Sequence, residues 1–323
     1  MTSLPPRVVV VHRRTELTEL VERHGTRGQA EFFLRTRGRT LAAVQARHDA
    51  QAQALLAVRA VVPAQWRSGS VERDDLPRFG FEPGDTVVVV GQDGLVANTA
   101  KYLTGQSVLG VDPEPGRNPG VLVRHRADDA ARLLPSVVAG TAEVRPRTMV
   151  AAELDDGQRL VGLNEVYLGH PSHQSARYRL AAPGGEAEAQ SSSGLIVATG
   201  TGATGWAASI RRERRGGPTL PTPAERSLAW FVREAWPSPS TGTRATSGRL
   251  DRGDRLEVVV ESDALVVFGD GLESDRLTAS WGQTVWLMVA DRSLRLVEPE
   301  HTPRTLESRP GVRGLQRQAI SVR

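Results

Sequence analysis

The chain has 323 residues, 39% of them hydrophobic and 24% charged, with a formal charge of +4. That is enough to bury one large core or two of ordinary size and argues against wholesale disorder. Cysteine is absent, which excludes disulfides, thiolate nucleophiles and cysteine metal sites. Arginine supplies all the basic charge except that of Lys101, and the arginines alternate with acids, so nucleic acid is not the expected partner.

Arg7 to Val11 is a short β-branched run suited to a buried strand. The stretch from Thr15 to Phe33, with Gly25 to Gly28 beside Arg23 and Arg27, either connects elements or contacts phosphates. Thr40 to Val62, rich in alanine and free of glycine, predicts a helix that stops before Pro63. A second β-branched run, Thr86 to Val90, leads into the polar turn Gly91-Gln92-Asp93-Gly94, a helix-compatible stretch Leu95 to Leu103 and a strand at Ser107 to Val111. Strand, turn, helix and strand in that order predict a doubly wound, mostly parallel α/β domain over about residues 1–140.

Beyond residue 140 the texture becomes strand-length alternation, near 143–154, 158–168, 176–182, 194–199, 255–268 and 284–297. This predicts a β-rich, sandwich-like domain over 141–297, followed by a C-terminal segment at 298–323. One helix is expected inside 211–250, at Pro223 to Ala235. The run Arg211, Arg212, Arg214 and Arg215 is either a phosphate grip or a solvated face. No stretch reaches the roughly 18–20 apolar residues a membrane helix needs, and the N-terminus lacks a signal-peptide pattern, so a cytoplasmic location is expected.

Four constellations bear on chemistry. Gly91-Gln92-Asp93-Gly94 follows a strand, where glycines let backbone N–H groups approach phosphate oxygens and an aspartate can accept a hydroxyl proton; an ordinary Asp-Gly turn uses the same residues. Thr199-Gly200-Thr201-Gly202-Ala203-Thr204-Gly205-Trp206 follows the apolar run Leu195 to Ala198 and satisfies G-x-G-x-x-G. The next strand that a dinucleotide-binding βαβ unit requires is missing, because Arg211 to Glu225 is proline-rich. What remains is a loop offering backbone amides and hydroxyls to a nucleotide. Asn164-Glu165 can grip the two hydroxyls of a ribose or lie as a strand-edge surface pair. Gly269-Asp270-Gly271 reads as a hairpin turn. A P-loop, a zinc helix and a nucleophile elbow are all lacking, and His170 and His173 read as loop.

In order and spacing, the Gly91 to Gly94 turn, Gly110 to Asn118, Leu163-Asn164-Glu165-Val166 and Gly194 to Trp206 resemble the NAD kinase family over roughly residues 84–290. The resemblance implies an N-terminal α/β domain and a C-terminal β-rich domain with the site between them, a last segment that returns to the first domain, and a homo-oligomer. It also implies phosphoryl transfer from ATP, with Mg²⁺, to the ribose 2′-hydroxyl of NAD or a related acceptor. Asp93 then matches the aspartate of the family's Gly-Gly-Asp-Gly-Thr, the proton acceptor, with Gly91 and Gly94 retained. Asn164 and Glu165 match the ribose-contacting pair. Thr199, Thr201, Gly202, Ala203, Thr204 and Trp206 fall in the loop that holds the dinucleotide. Gln92 and Leu95 replace a glycine and a threonine of the first motif. Gly200, Ala203, Gly205 and Trp206 depart from proline, serine, alanine and tyrosine in the loop, and Ser193 stands in place of an aspartate that recognises a base. These departures leave a second reading open, a non-catalytic nucleotide sensor on the same fold. A nicotinamide oxidoreductase is the third, and it requires a βαβ unit near residue 200.

Overall fold

The computed structural model describes residues 4–117 and 120–299. The expected C-terminal segment, from residue 300 onward, and Asn118 lie outside the described residues. The strands, in chain order, are β1 (Arg7–His12), β2 (Arg67–Glu72), β3 (Thr86–Val90), β4 (Ser107–Val111), β5 (Val144–Leu154), β6 (Arg159–Gly162), β7 (Glu165–Gly169), β8 (Ala176–Ala181), β9 (Glu188–Ser192), β10 (Leu195–Ala198), β11 (Ser227–Val232), β12 (Ser247–Asp251), β13 (Arg255–Val260), β14 (Ala264–Gly269), β15 (Leu277–Ser280) and β16 (Thr284–Val297). The α-helices are α1 (Glu16–His24), α2 (Arg27–Arg35), α3 (Leu41–Ala60), α4 (Asp93–Ala100), α5 (Ala130–Val138) and α6 (Trp206–Glu213). None of these helices is long and apolar enough to cross a membrane.

The first half of the chain is built on four parallel strands in the order β2-β1-β3-β4. Val87 and Val89 face α4, packing with Leu95, Val96 and Ala97, whereas Val88 and Val90 face the other way, onto Ala54 and Val58 of α3 and Leu133 and Leu134 of α5. A strand covered on both faces must be apolar at every position, and the run Thr-Val-Val-Val-Val of β3 meets that demand.

The second half packs antiparallel strands face to face. A six-stranded sheet, β12-β11-β10-β7-β14-β15, lies over β5, β8, β13 and part of β16. Val166, Leu168, Val197 and Trp230 of the six-stranded sheet and Val150, Tyr178, Leu180 and Val258 of the opposite layer fill the space between them. The outer face of the six-stranded sheet is covered by α6, through Ala207 and Ile210 on Ile196 and Phe231. The α/β part is joined to this sandwich by β16, which pairs with β13 and β5 and then, past an irregularity between Val289 and Ser293, runs parallel to β4 through Arg295 and Leu296.

Three expectations are corrected. Residues 223–235 hold the strand β11, not a helix: its alternate residues Leu228 and Trp230 enter the sandwich core while Ala229 and Phe231 meet α6. The single strands expected at 158–168 and 255–268 are each two strands, broken at Leu163-Asn164 and at 261–263. Residues 13–60, beyond the one helix expected there, contain α1 and α2. Thr15, Thr26 and Thr40 cap the three helices by accepting backbone N–H groups of Thr18, Gln29 and Ala43.

Candidate functional site

In the order β2-β1-β3-β4 the chain leaves β1 toward β2 on one side and returns to β3 on the other, so β1 and β3 flank a topological switch point. Ligands of open α/β sheets bind outside the carboxyl ends of the strands at such a point. A cavity of about 460 Å³ lies there, lined by Arg13, Thr15 and Glu16 after β1, by Gly91 to Gly94 after β3, by Asp112, Pro113 and Glu114 after β4, and by Arg47 and Gln51 of α3. The expected phosphate turn therefore sits at the end of its strand, and α4 starts at Asp93.

Within the turn, the Gly91 N–H donates to Val111 O at 3.0 Å and the Leu95 N–H to Gln92 O at 2.9 Å. Both N–H groups are occupied inside the protein. Leu95 is buried beneath Gly91, where a Cβ on the glycine would meet its Cδ2 at 2.9 Å. Gln92 is exposed. The Asp93 carboxylate accepts three backbone N–H groups, from Val121 at 2.8 Å on one oxygen and from Leu122 at 3.0 Å and Val123 at 3.1 Å on the other. A carboxylate has about four acceptor positions, so one remains. Gly120 permits this approach, since a Cβ there would fall 2.5 Å from the carboxylate.

A second cluster gathers Asn164, Glu165 and the threonine-glycine loop. The Thr199 N–H donates to Asn164 O at 2.9 Å, and the Thr199 hydroxyl donates to Leu163 O at 2.6 Å while accepting the N–H groups of Thr201 and Gly202. Gly202 lies flat on Asn164: a Cβ there would stand 2.2 Å from the Asn164 carbonyl oxygen. Thr201 Oγ1 is buried without a hydrogen-bond partner. Gly202 to Thr204 form one turn of 3₁₀ helix, with Ala203 half-buried and Thr204 exposed. Trp206 opens α6; its ring stacks on Tyr167 at 5.9 Å, and the Arg233 guanidinium lies over it at 5.2 Å.

Asp270, read from the sequence as a hairpin residue, holds this cluster together. It occupies the left-handed region at φ 56°, a conformation that aspartate tolerates better than most residues. Its carboxylate accepts the N–H groups of Leu163 at 2.8 Å, Asn164 at 2.7 Å and Glu165 at 3.3 Å, bridging the break between β6 and β7. Burial pushes its carboxyl up to about 6, against the pull of those N–H groups and of Lys101. Burial first, and then the neighbouring Asp270 charge, push Glu165 up to about 7. Both carboxyls are thus raised toward neutrality, as groups at functional sites often are.

The cavity over Gly91, Asp93 and Gly94 is not lined by Asn164, Glu165 or the threonine loop. The two clusters are joined by α4. Its first residue is Asp93, and the residue that ends it, Lys101, donates from Nζ to Gly269 O at 3.5 Å and pairs with Asp275 at 2.9 Å. The eight residues of α4 put its ends about 12 Å apart. The arginine run divides: Arg214 donates to the Thr246 and Val232 carbonyls, while Arg211, Arg212 and Arg215 are exposed. Around residue 200 the strands β7, β10 and β11 are antiparallel, so no βαβ unit exists there and the oxidoreductase reading falls. Among the described residues, no group of three or more His, Cys, Asp or Glu is placed to hold a metal ion. Sequence reasoning missed Arg13, Arg47 and Gln51, which reach the cavity only through the packing of α3 on the sheet.

No protein-family model matches the chain. An NADH kinase from yeast, solved with NADH, superposes with a TM-score of 0.59 over 92% of this chain and 84% of its own, at 12% identity. The fold is therefore the two-part α/β and β-rich fold of that kinase. In sequence, an NAD kinase of Pseudomonas putida (strain F1) is 29% identical over 226 residues, 67% of this chain and 71% of that protein. An NAD kinase of Psychrobacter arcticus is 32% identical over 142 residues, 42% of each. Over two-thirds of its length the chain is thus similar in sequence to NAD kinases, and it shares the fold of the yeast NADH kinase.

Proposed function

We propose that this protein is a cytoplasmic, ATP-dependent phosphotransferase that moves the γ-phosphoryl group to the ribose 2′-hydroxyl of NAD or of a closely related nucleotide, working as a homo-oligomer. The observation that carries this reading is the cavity at the β1/β3 switch point, in which the Gly91 to Gly94 turn and the start of α4 face a space large enough for a phosphate chain. The acceptor hydroxyl attacks the γ-phosphorus, the bond to the β-phosphate oxygen breaks, ADP leaves, and the hydroxyl proton passes to the free acceptor position of Asp93. Asn164 and Glu165 bind the ribose hydroxyls. Thr199, Thr201, Gly202, Ala203 and Thr204 border the dinucleotide, and Trp206 offers a base its indole face.

Mg²⁺ typically binds through one or two carboxylates and the substrate's own phosphates. Asp112 fits that demand: it lines the cavity, makes no ion pair among the described residues, and accepts only the Glu114 N–H, at 2.9 Å. When bound, the ion neutralises charge on the transferred group. One observation favours the alternative of a non-catalytic nucleotide sensor, the tethering of Asp93 to three amides together with the buried Leu95 in place of a hydroxyl.

A phosphotransfer assay decides between them. Mg-ATP and inorganic polyphosphate are offered as donors against NAD, NADH, nucleosides and sugars. Formation of NADP or NADPH supports the kinase, whereas dinucleotide binding with no transfer from either donor to any acceptor supports the sensor.

A further inference from the structure

We propose that Arg13 and Arg47, contributed by the segment that runs from β1 through α3, form the subsite for the terminal phosphates of the phosphoryl donor. The proposal rests on the kinase reading above and assigns the donor grip to side chains outside the glycine turn.

Arg13 follows the last residue of β1 directly, at the carboxyl end of the strand that neighbours β3 across the switch point. Its backbone is fixed by Gln51, whose Nε2 donates to Arg13 O at 2.7 Å. Its guanidinium is exposed and makes no ion pair or hydrogen bond among the described residues. Arg47 lies four residues before Gln51, so the two share a face of α3, and both line the cavity. Arg47 spends one N–H on Glu16 at 3.3 Å, and its Nε is buried with no acceptor. Glu16 does not depend on that contact: Arg39 donates to both of its oxygens, at 2.5 and 2.8 Å, and holds its carboxyl below the usual range. Arg47 can therefore turn its remaining donors to a ligand and leave Glu16 paired.

The other charges around the cavity are already matched. Asp93 is taken up by three amides and Glu114 pairs with Arg117 at 2.9 Å, leaving Asp112 for a cation brought by the ligand. Two guanidiniums with spare donors then face a space of about 460 Å³ in which every acid except Asp112 already has partners. Forked guanidinium donors suit phosphate oxygens. They also replace what the turn lacks, since the N–H groups of Gly91 and Leu95 are occupied within the protein and position 95 carries no hydroxyl. The ligand class is a phosphate chain, whether the tail of a nucleoside triphosphate or an inorganic polyphosphate.

The test is calorimetric binding of Mg-ATP and of Mg-tripolyphosphate to the full chain, for wild type, Arg13→Gln, Arg47→Gln and a control at the exposed Arg252, Arg252→Gln, with NAD binding and phosphotransfer measured on the same samples. Each of the first two variants should weaken phosphate binding about ten- to a hundredfold, with NAD binding and the melting temperature near wild type and Arg252→Gln unchanged. Weakening for both ligands identifies the phosphate chain itself as what is read, and weakening for Mg-ATP alone identifies a nucleotide tail. Unchanged donor affinity in both variants, with wild type transferring phosphoryl groups, overturns the proposal. A wild type that transfers nothing yet loses triphosphate binding in both variants overturns the kinase reading and keeps the subsite.

Discussion

Replacing Glu165 by glutamine removes a carboxyl whose ionisation the fold opposes. Burial and the adjacent Asp270 push it from 4.5 to about 7. A carboxyl raised on folding contributes stability below its unfolded value and loses it as pH climbs through the folded value, so the chain is expected to grow less stable between about pH 4.5 and 7. The full displacement corresponds to about 3 kcal/mol at 1.36 kcal/mol per unit. Partial exposure of the side chain reduces that to about 1–2 kcal/mol. Urea unfolding at pH 5 and pH 8 measures it. Glu165→Gln should match wild type within about 1 kcal/mol at pH 5 and exceed it by about 1–2 kcal/mol at pH 8, a midpoint shift of several tenths of molar. Asp270, pushed up to about 6, adds to the descent in both proteins. An equal gap at the two pH values, or a variant less stable at pH 8, would refute the reasoning.

Gly202→Ala would place a methyl 2.2 Å from the Asn164 carbonyl oxygen, against Asn164 backbone with no flexible tip to yield. A loss of about 2–3 kcal/mol follows, seen as a drop of several degrees in the melting temperature, together with weaker dinucleotide binding by titration. Asp270→Ala strands three backbone donors at 163–165. At about 1–3 kcal/mol for each donor left without an acceptor, partly relieved by water, it should destabilise by about 3–5 kcal/mol. Asp270→Asn, which keeps one acceptor oxygen, should cost less; equal losses in denaturant melts would contradict the clamp.

Much of the α/β half was legible because its strands are buried on both faces, so that Arg7–His12 and Thr86–Val90 stand out as β-branched runs. The strand Arg67–Glu72 did not, since this edge strand buries only Val71 and carries Arg, Ser and Gly elsewhere. Ser227–Val232 is buried throughout and apolar from Leu228 on because it is sandwiched between the core and α6, and a continuous apolar run has no period that separates strand from helix. The turn at Asp93 and the loop at Thr199 were visible as local patterns of glycine and hydroxyl residues. Asp270 was not, because a Gly-Asp-Gly turn reads the same whether or not its carboxylate reaches across to residues 163–165. Arg13 and Arg47 are 34 positions apart in the sequence and meet only where α3 packs beside the end of β1.

The central claim, that the switch-point cavity performs phosphoryl transfer with Asp93 as proton acceptor, is tested most directly by the rate of NADP formation from NAD and Mg-ATP in wild type and in Asp93→Asn. Asparagine preserves the size of the side chain and one acceptor oxygen for the 121–123 amides. A clear wild-type rate should fall by about 10²–10⁴-fold in the variant, with NAD affinity little changed. A variant as active as wild type would contradict the role of Asp93, and a wild type inert with every donor would contradict catalysis itself.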